Sequence, residues 1–328
     1  MSEQAENLRE EGAKPKKGCL GCSFPLAIGL LVVCLALFAV GLASGPLGKG
    51  LFGDLGLPAW INVPQPHPEL PAEVIFHIGS LPIANSIIAT WFTIIVMVVF
   101  CFVVSRRLRL IPGRWQALLE FALESLLNFC KSVAGEKNGR RFFPIVATIF
   151  LFVIFNAWFS LLPGFGSILV HTSHGEAHLL RGANTDINTP LAIAFISFIF
   201  VWYFGFRDIG PRYLEQFINV GAFLKGFGML WQGKVKSGIS GIFTGIINMF
   251  IGVLELLSQF IRIVSFTFRL FGNMTAGEIL LLVAVFLVPW LFALPFYGLE
   301  LLVGFIQALI FAGLTLIFLT VAVTTHHE

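Results

Sequence analysis

The stretch Arg262–Glu278, RIVSFTFRLFGNMTAGE, sits inside an apolar run from about Ile242 to Val288. It puts two arginines at the depth of a membrane. A charged side chain at the centre of a membrane helix costs roughly 2.5 to 3.5 kcal/mol, so charge retained there marks an ion path or a paired site. Asn248, Glu255, Arg262 and Arg269 recur every seven residues, which on a helix makes one narrow polar stripe drifting by about 20° per step. Neighbours on that stripe lie about 10 Å apart along the axis. Glu255 therefore reaches Arg262 only by extending and is too far away to neutralise Arg269. Ser265 and Asn273 lie one turn either side of Arg269, while Glu278 is rotated to the opposite side and meets a different partner. Arg269 has no acid on its own face. A carboxylate from elsewhere is its natural complement.

The length of 328 residues would allow two soluble domains, but 57% hydrophobic against 12% charged residues, with a mean hydropathy of +0.88, excludes that class. Several windows exceed the roughly 18 apolar residues that call for a membrane helix. The chain reads as an all-α integral membrane protein with about six membrane helices. A polar N-terminus over 1–23 precedes an apolar segment over 24–44, which fits either a membrane anchor or a cleaved signal sequence. Its length favours the anchor, because the apolar core of a signal is usually about 7–15 residues. Residues 45–82, rich in Pro and Gly, read as an external segment, and residues 83–325 as the core. Within that core the first span is expected from about Ile83 to Val104. Residues 113–134 form an amphipathic helix lying in the interface, with Glu120, Glu124 and Lys131 on one face. A polar turn from Glu136 to Arg141 then leads into spans over Phe142 to Leu162 and Pro190 to Phe206. The last two apolar stretches, about 242–288 and 290–323, are too long for upright spans. The first must tilt or break near a glycine such as Gly272, and the two make a hairpin turning near Pro289.

Charge placement orients this arrangement. Of the 21 Lys and Arg residues, 17 fall in segments 1–18, 106–141 and 207–238, and only Lys49 and Arg181 fall in 45–82 and 164–188. That bias places the N-terminus, the amphipathic helix and the 207–238 loop in the cytoplasm, and with six spans the C-terminus as well. The net charge of +3 is too small to argue for a nucleic-acid partner.

The run Gly252-x-Leu254-Glu255-x-x-Ser258-x-x-x-Arg262, followed by Ser265-Phe266-Thr267-Phe268-Arg269-Leu270-Phe271-Gly272-Asn273-Met274-x-Ala276-Gly277-Glu278, resembles the signature of subunit a of F-type ATP synthases. The resemblance covers about 67–325. It departs at Ile263, where the family often has Pro. It implies an ion-conducting stator with two aqueous half-channels, in a bacterial-type cell membrane. The expected partners are the rotating ring of subunit c, the peripheral-stalk subunit b, the other synthase subunits and membrane lipid. In that reading Arg269 faces the ring carboxylates. Glu278, Glu300, Gln307, Asn273, Ser265, Asn156 and Ser160 belong to the ion pathway, with Arg262, Glu255 and Asp186 in support. Glu300 and Gln307, seven apart, share a face of the last helix. With Glu278 also acidic, the two carboxyls are expected to share a proton or an intervening water. Asn156 fits either a water route or interhelical hydrogen bonding, and Asp186 either a helix cap or a conducting group.

Other patterns carry less. His171, His174, His178 and Glu176 have spacings that zinc tolerates, but in an external loop they read as a solvated polar run. Cys19-x-x-Cys22 lacks a second half, and five cysteines form no disulfide framework. No phosphate-binding glycine loop occurs, so the chain does not make or hydrolyse ATP itself, and no cofactor or metal is expected. The alternative of an independent secondary transporter predicts internal repeats, which the sequence does not show.

Overall fold

The computed structural model describes residues 24–53, 65, 72–106, 113–162, 164–172, 175–217 and 235–324. The polar N-terminus with Cys19 and Cys22, Arg107 and Arg109, His174, Lys225 and Lys234, and the terminal His326, His327 and Glu328 lie outside the described residues. Among the described residues six helices are long and apolar enough to cross a membrane. The chain is a multi-pass membrane protein.

Two compact units divide it. The first comprises 1–68 and 280–297, the second 69–279 and 298–328. In the first, helix α1 (Phe24–Ser44) has apolar side chains exposed along its length, as a lipid-facing helix should. It continues into the short α2 (Pro46–Phe52), whose Pro46 needs no amide hydrogen at a helix start. Gly45, between them, backs onto the Leu287 carbonyl, and any β-carbon there would collide with it. The same unit holds the tip of the C-terminal hairpin, where Pro289 ends one helix and a 3-10 turn, Trp290–Phe292, leads into the next.

In the second unit two small antiparallel hairpins appear that hydropathy does not announce. Strands β1 (Val74–Ile78) and β2 (Leu81–Ala84) turn at Gly79, whose φ of 64° suits glycine; β3 (Leu169–Thr172) pairs with β4 (Gly175–His178). Glu73 joins the pairs. Its carboxylate accepts the His178 backbone N–H at 2.9 Å and the Asn85 amide at 3.4 Å.

Helix α3 (Asn85–Arg106) matches the expected first span, with 22 residues giving about 33 Å against a hydrocarbon core of roughly 30 Å. Helix α4 (Arg114–Ser160) revises the expected order of amphipathic helix, six-residue polar turn and span. Only Gly135 leaves helical geometry (φ 79°, ψ 166°), and Glu136 to Arg141 already belong to the next helix. The physical reason is local charge pairing. Glu136 binds Arg140 one turn ahead at 2.8 Å and Lys131 across the break at 3.1 Å, so the polar run is satisfied as helix. A β-carbon on Gly139 would stand 2.7 Å from the Cys130 carbonyl oxygen, an approach only glycine allows. Helix α5 (Asn188–Ile209) ends where Asp208 holds Arg141 in a two-pronged pair at 2.6 and 2.8 Å, with the Arg141 guanidinium 4.6 Å above the Phe204 ring.

Helix α6 (Val235–Leu287) runs 53 residues without a break, Gly272 included, and α7 (Ala293–Thr324) runs 32. At about 1.5 Å per residue α6 is about 80 Å long, so inclination rather than interruption fits it to a bilayer. The buried core joins Phe142, Val146 and Val153 of α4, Ala194 and Val201 of α5, Phe266 and Leu270 of α6, and Ala308, Ala312 and Leu316 of α7. The small residues let backbones approach closely, as membrane helices require in the absence of a hydrophobic drive.

Candidate functional site

Two close approaches set the register between α6 and α7. The Phe266 and Phe311 rings lie 4.6 Å apart, and Gly277 faces Glu300 so closely that a β-carbon would overlap the carboxyl. The helices are therefore antiparallel here, with Arg269 level with Ala308 and one residue from the level of Gln307. Arg269 and Gln307, 38 positions apart in sequence, lie within one residue of the same level.

Along the polar stripe the two arginines are treated differently. Arg262 reaches Glu255 at 4.0 Å and lies 4.2 Å over the Phe318 ring, while Gln259 donates to the same carboxylate at 3.4 Å. Arg269 is half-buried, its nearest ring contact is Phe266 at 5.9 Å, and among the described residues it forms no ion pair. Ser265 is exposed; Asn273 and Gln307 are half-buried.

The remaining predicted residues gather at the end carrying the 164–188 loop, where four segments close a ring of contacts. Trp158 of α4 donates its indole N–H to the Leu301 carbonyl of α7 at 3.1 Å, and a β-carbon on Gly304 would stand 2.8 Å from Ala157. From α7, Glu300 lies against Gly277 of α6. On α6, Glu278 receives the Arg181 guanidinium at 3.3 Å. The loop returns to α4 through Gly182, where a β-carbon would be 3.1 Å from the Ser160 Cβ. Ser160, Glu278 and Glu300 thus belong to one constellation, with Asn156 buried one turn before Ser160 on α4. The Asn156 and Asn184 side chains and the Thr275 hydroxyl are buried without a hydrogen-bond partner among the described residues. Buried polar groups of this kind are the ones ordered water satisfies.

Asp186 is occupied with structure. One oxygen accepts the Ser86 hydroxyl at 2.6 Å, and the other accepts the Asn188 backbone N–H at 3.1 Å and its amide at 3.0 Å. It accepts from Asn188, the first residue of α5, and ties that end to Ser86 of α3. Glu278 and Glu300 are not hydrogen-bonded to each other among the described residues, and Glu278 is paired with Arg181. Sequence reading missed Arg181, 97 residues from its partner, and Gly277. A basic residue in a loop otherwise nearly free of Lys and Arg was the available signal for the first. Among the described residues no cluster of His, Cys, Asp and Glu is arranged to hold a metal ion.

Residues 87–320 match the family described as ATP synthase A chain. The chain belongs to that family. It is 31% identical over 261 residues to a protein named ATP synthase subunit a from Gloeobacter violaceus, covering 79% of this chain and 92% of that one. A protein of the same name from Moorella thermoacetica is 29% identical over 255 residues, covering 77% and 96%. The family resemblance in the sequence is thereby confirmed. The chain is a subunit of the membrane sector of an F-type ATP synthase and not a catalyst by itself.

Proposed function

We propose that this subunit is the ion-conducting stator of its synthase, with Arg269 facing the carboxylates of a rotating ring of subunit c. The observation that carries the reading is the contrast on α6: Arg262 is supplied with an acid and an aromatic ring by its own chain, whereas Arg269 lacks an acid among the described residues. A guanidinium stays protonated and so cannot hand a proton on. Its charge favours the ionised form of each ring carboxylate that arrives, which drives release of the carried ion and blocks a direct leak between the two access routes. Each charge crossing the membrane at 100 mV delivers about 2.3 kcal/mol to rotation.

The external access route runs through the ring of contacts described above. Its unpartnered Asn156, with Ser160, Glu278 and Glu300, supports a hydrated path toward Arg269, and Asn273, Gln307 and Ser265 line the approach. Arg262 and Glu255 support the opposite side. In this orientation the 164–188 loop is external and both termini are cytoplasmic, as the charge bias requires, and subunit b binds on the stator side. The test is Arg269→Ala in the assembled complex reconstituted in liposomes. ATP synthesis driven by a proton gradient is expected to vanish; normal rates would refute the reading.

A further inference from the structure

The last turn of α1 is built differently from the rest of that helix. Between Pro25 and Val40 only Cys34 is even partly covered, and Leu30 is 65% exposed. Burial begins at the end, where Gly41, Ser44, Gly45 and Gly48 are buried and the turn packs on the 290–292 segment at the hairpin tip. Val288, Pro289 and Ala293 of the tip are buried as well. Two glycines have separate tasks in this contact. Gly48 folds α2 so tightly against the Leu42 carbonyl that a β-carbon does not fit. Gly45 seats that corner on the Leu287 carbonyl, with the Pro289 ring 3.1 Å from where its β-carbon would be. The same turn carries small residues, Gly41-Leu42-Ala43, of the kind a signal peptidase reads. Cleavage favours exposed, loosely held backbone. Here the Gly41 carbonyl accepts the Ser44 hydroxyl and the Gly45 N–H, each at 3.1 Å, inside a packed helix end.

We propose that α1 and α2 stay with the subunit as a clamp on the turn between α6 and α7. The turn they grip is the covalent link between the helix bearing Arg269 and the helix bearing Glu300. Both clamp helices lie before the residues that match the family, whereas the turn lies among them. The clamp is therefore an addition of this chain to the shared hairpin. Charge agrees with the arrangement. Both α1 and α6 end at the tip, and lysines precede each of them, Lys14, Lys16 and Lys17 before α1 and Lys234 before α6. Helices that run the same way across a bilayer start from the same positive side. The clamp does not depend on the stator reading, because it concerns what holds the hairpin and not what the hairpin conducts.

The test cuts the clamp from the chain and asks whether it stays. A specific protease site is inserted between Gly53 and Gln65, and the assembled complex, tagged after Glu328, is cut in detergent and recaptured by the tag. The N-terminal fragment is expected to be recaptured at about its starting ratio. Gly45→Leu drives a side chain into the Leu287 carbonyl and should lower that retention by roughly tenfold. Gly29→Leu, on the exposed part of the same helix where a β-carbon meets open space, should leave it within about twofold. Loss of the fragment from the unaltered complex, or equal retention with Gly45→Leu, would overturn the proposal. Failure of Gly45→Leu to assemble while Gly29→Leu assembles is read as support. The intact mass of the subunit in the uncut complex needs no variant at all. It should include residues 1–45, and a chain beginning near Ser44 would refute the clamp outright.

Discussion

Arg262 and Arg269 occupy the same stripe of the same helix, one heptad apart, yet the chain completes the surroundings of one and not the other. Arg262 has Glu255, itself held by Gln259, and the Phe318 ring within its own subunit. Arg269 has an edge of contact with Phe266 and no acid among the described residues. On the proposed reading, a fold that satisfies an arginine in one place and not seven residues later keeps the second charge for another molecule. The stripe alone, read as spacing, would have treated both alike.

The sharpest way to break the contrast is to remove each charge in turn. Arg269→Ala should reduce proton-driven ATP synthesis by at least about a hundredfold, the scale set by deleting a preorganised electrostatic group. A second, smaller effect tests the carboxyl near the loop end. Gly277→Ala would push the Glu300 carboxyl aside and should lower proton flux by roughly tenfold, as misplacement of a reacting group does. Gly298→Ala on α7, where a β-carbon meets open space, should leave flux within twofold, roughly. Equal effects from the two would show that the Glu300 contact is incidental.

Arg262→Gln should cost much less than Arg269→Ala, no more than about threefold in synthesis rate per assembled complex, because it removes a partly exposed pair and a ring contact. A collapse equal to that of Arg269→Ala would erase the distinction between the two arginines. The smallest effect is structural. Arg141→Ala removes the two-pronged bond to Asp208 and the Phe204 contact, both partly exposed, and should destabilise the subunit by about 1 kcal/mol. Asp208→Asn combined with it should add little, and thermal unfolding in detergent would show whether the two effects overlap.

The spans and the hairpin turn at Pro289 were legible because membrane length and hydropathy dictate them, whereas length left α6 free to tilt or to break, and it is unbroken. Arg269 was legible as an unmatched charge. The strands were not. VIFHI and LPIA are short and apolar enough to pass for the edges of neighbouring helices, and only Gly79 marks the turn. Gly135 was hidden inside a polar run that looked like a loop but whose charges pair at helical spacing. The Arg181–Glu278 contact was out of reach for a different reason: nothing local in either residue specifies a partner 97 positions away. Gly277 reads as an unfavourable helix residue until Glu300 is placed against it.

The unbroken course of α6 changes what separation along it means. If its 53 residues share a hydrocarbon slab of roughly 30 Å, each step moves only ~0.6 Å in depth instead of 1.5 Å. Arg269 and Glu278 then differ in height by about 5 Å, less than one upright helical turn. Most of the distance between them runs sideways, parallel to the bilayer surface. The polar groups of this helix then form a nearly level row, and on the proposed reading two access routes serving it would open at laterally separate points of the protein.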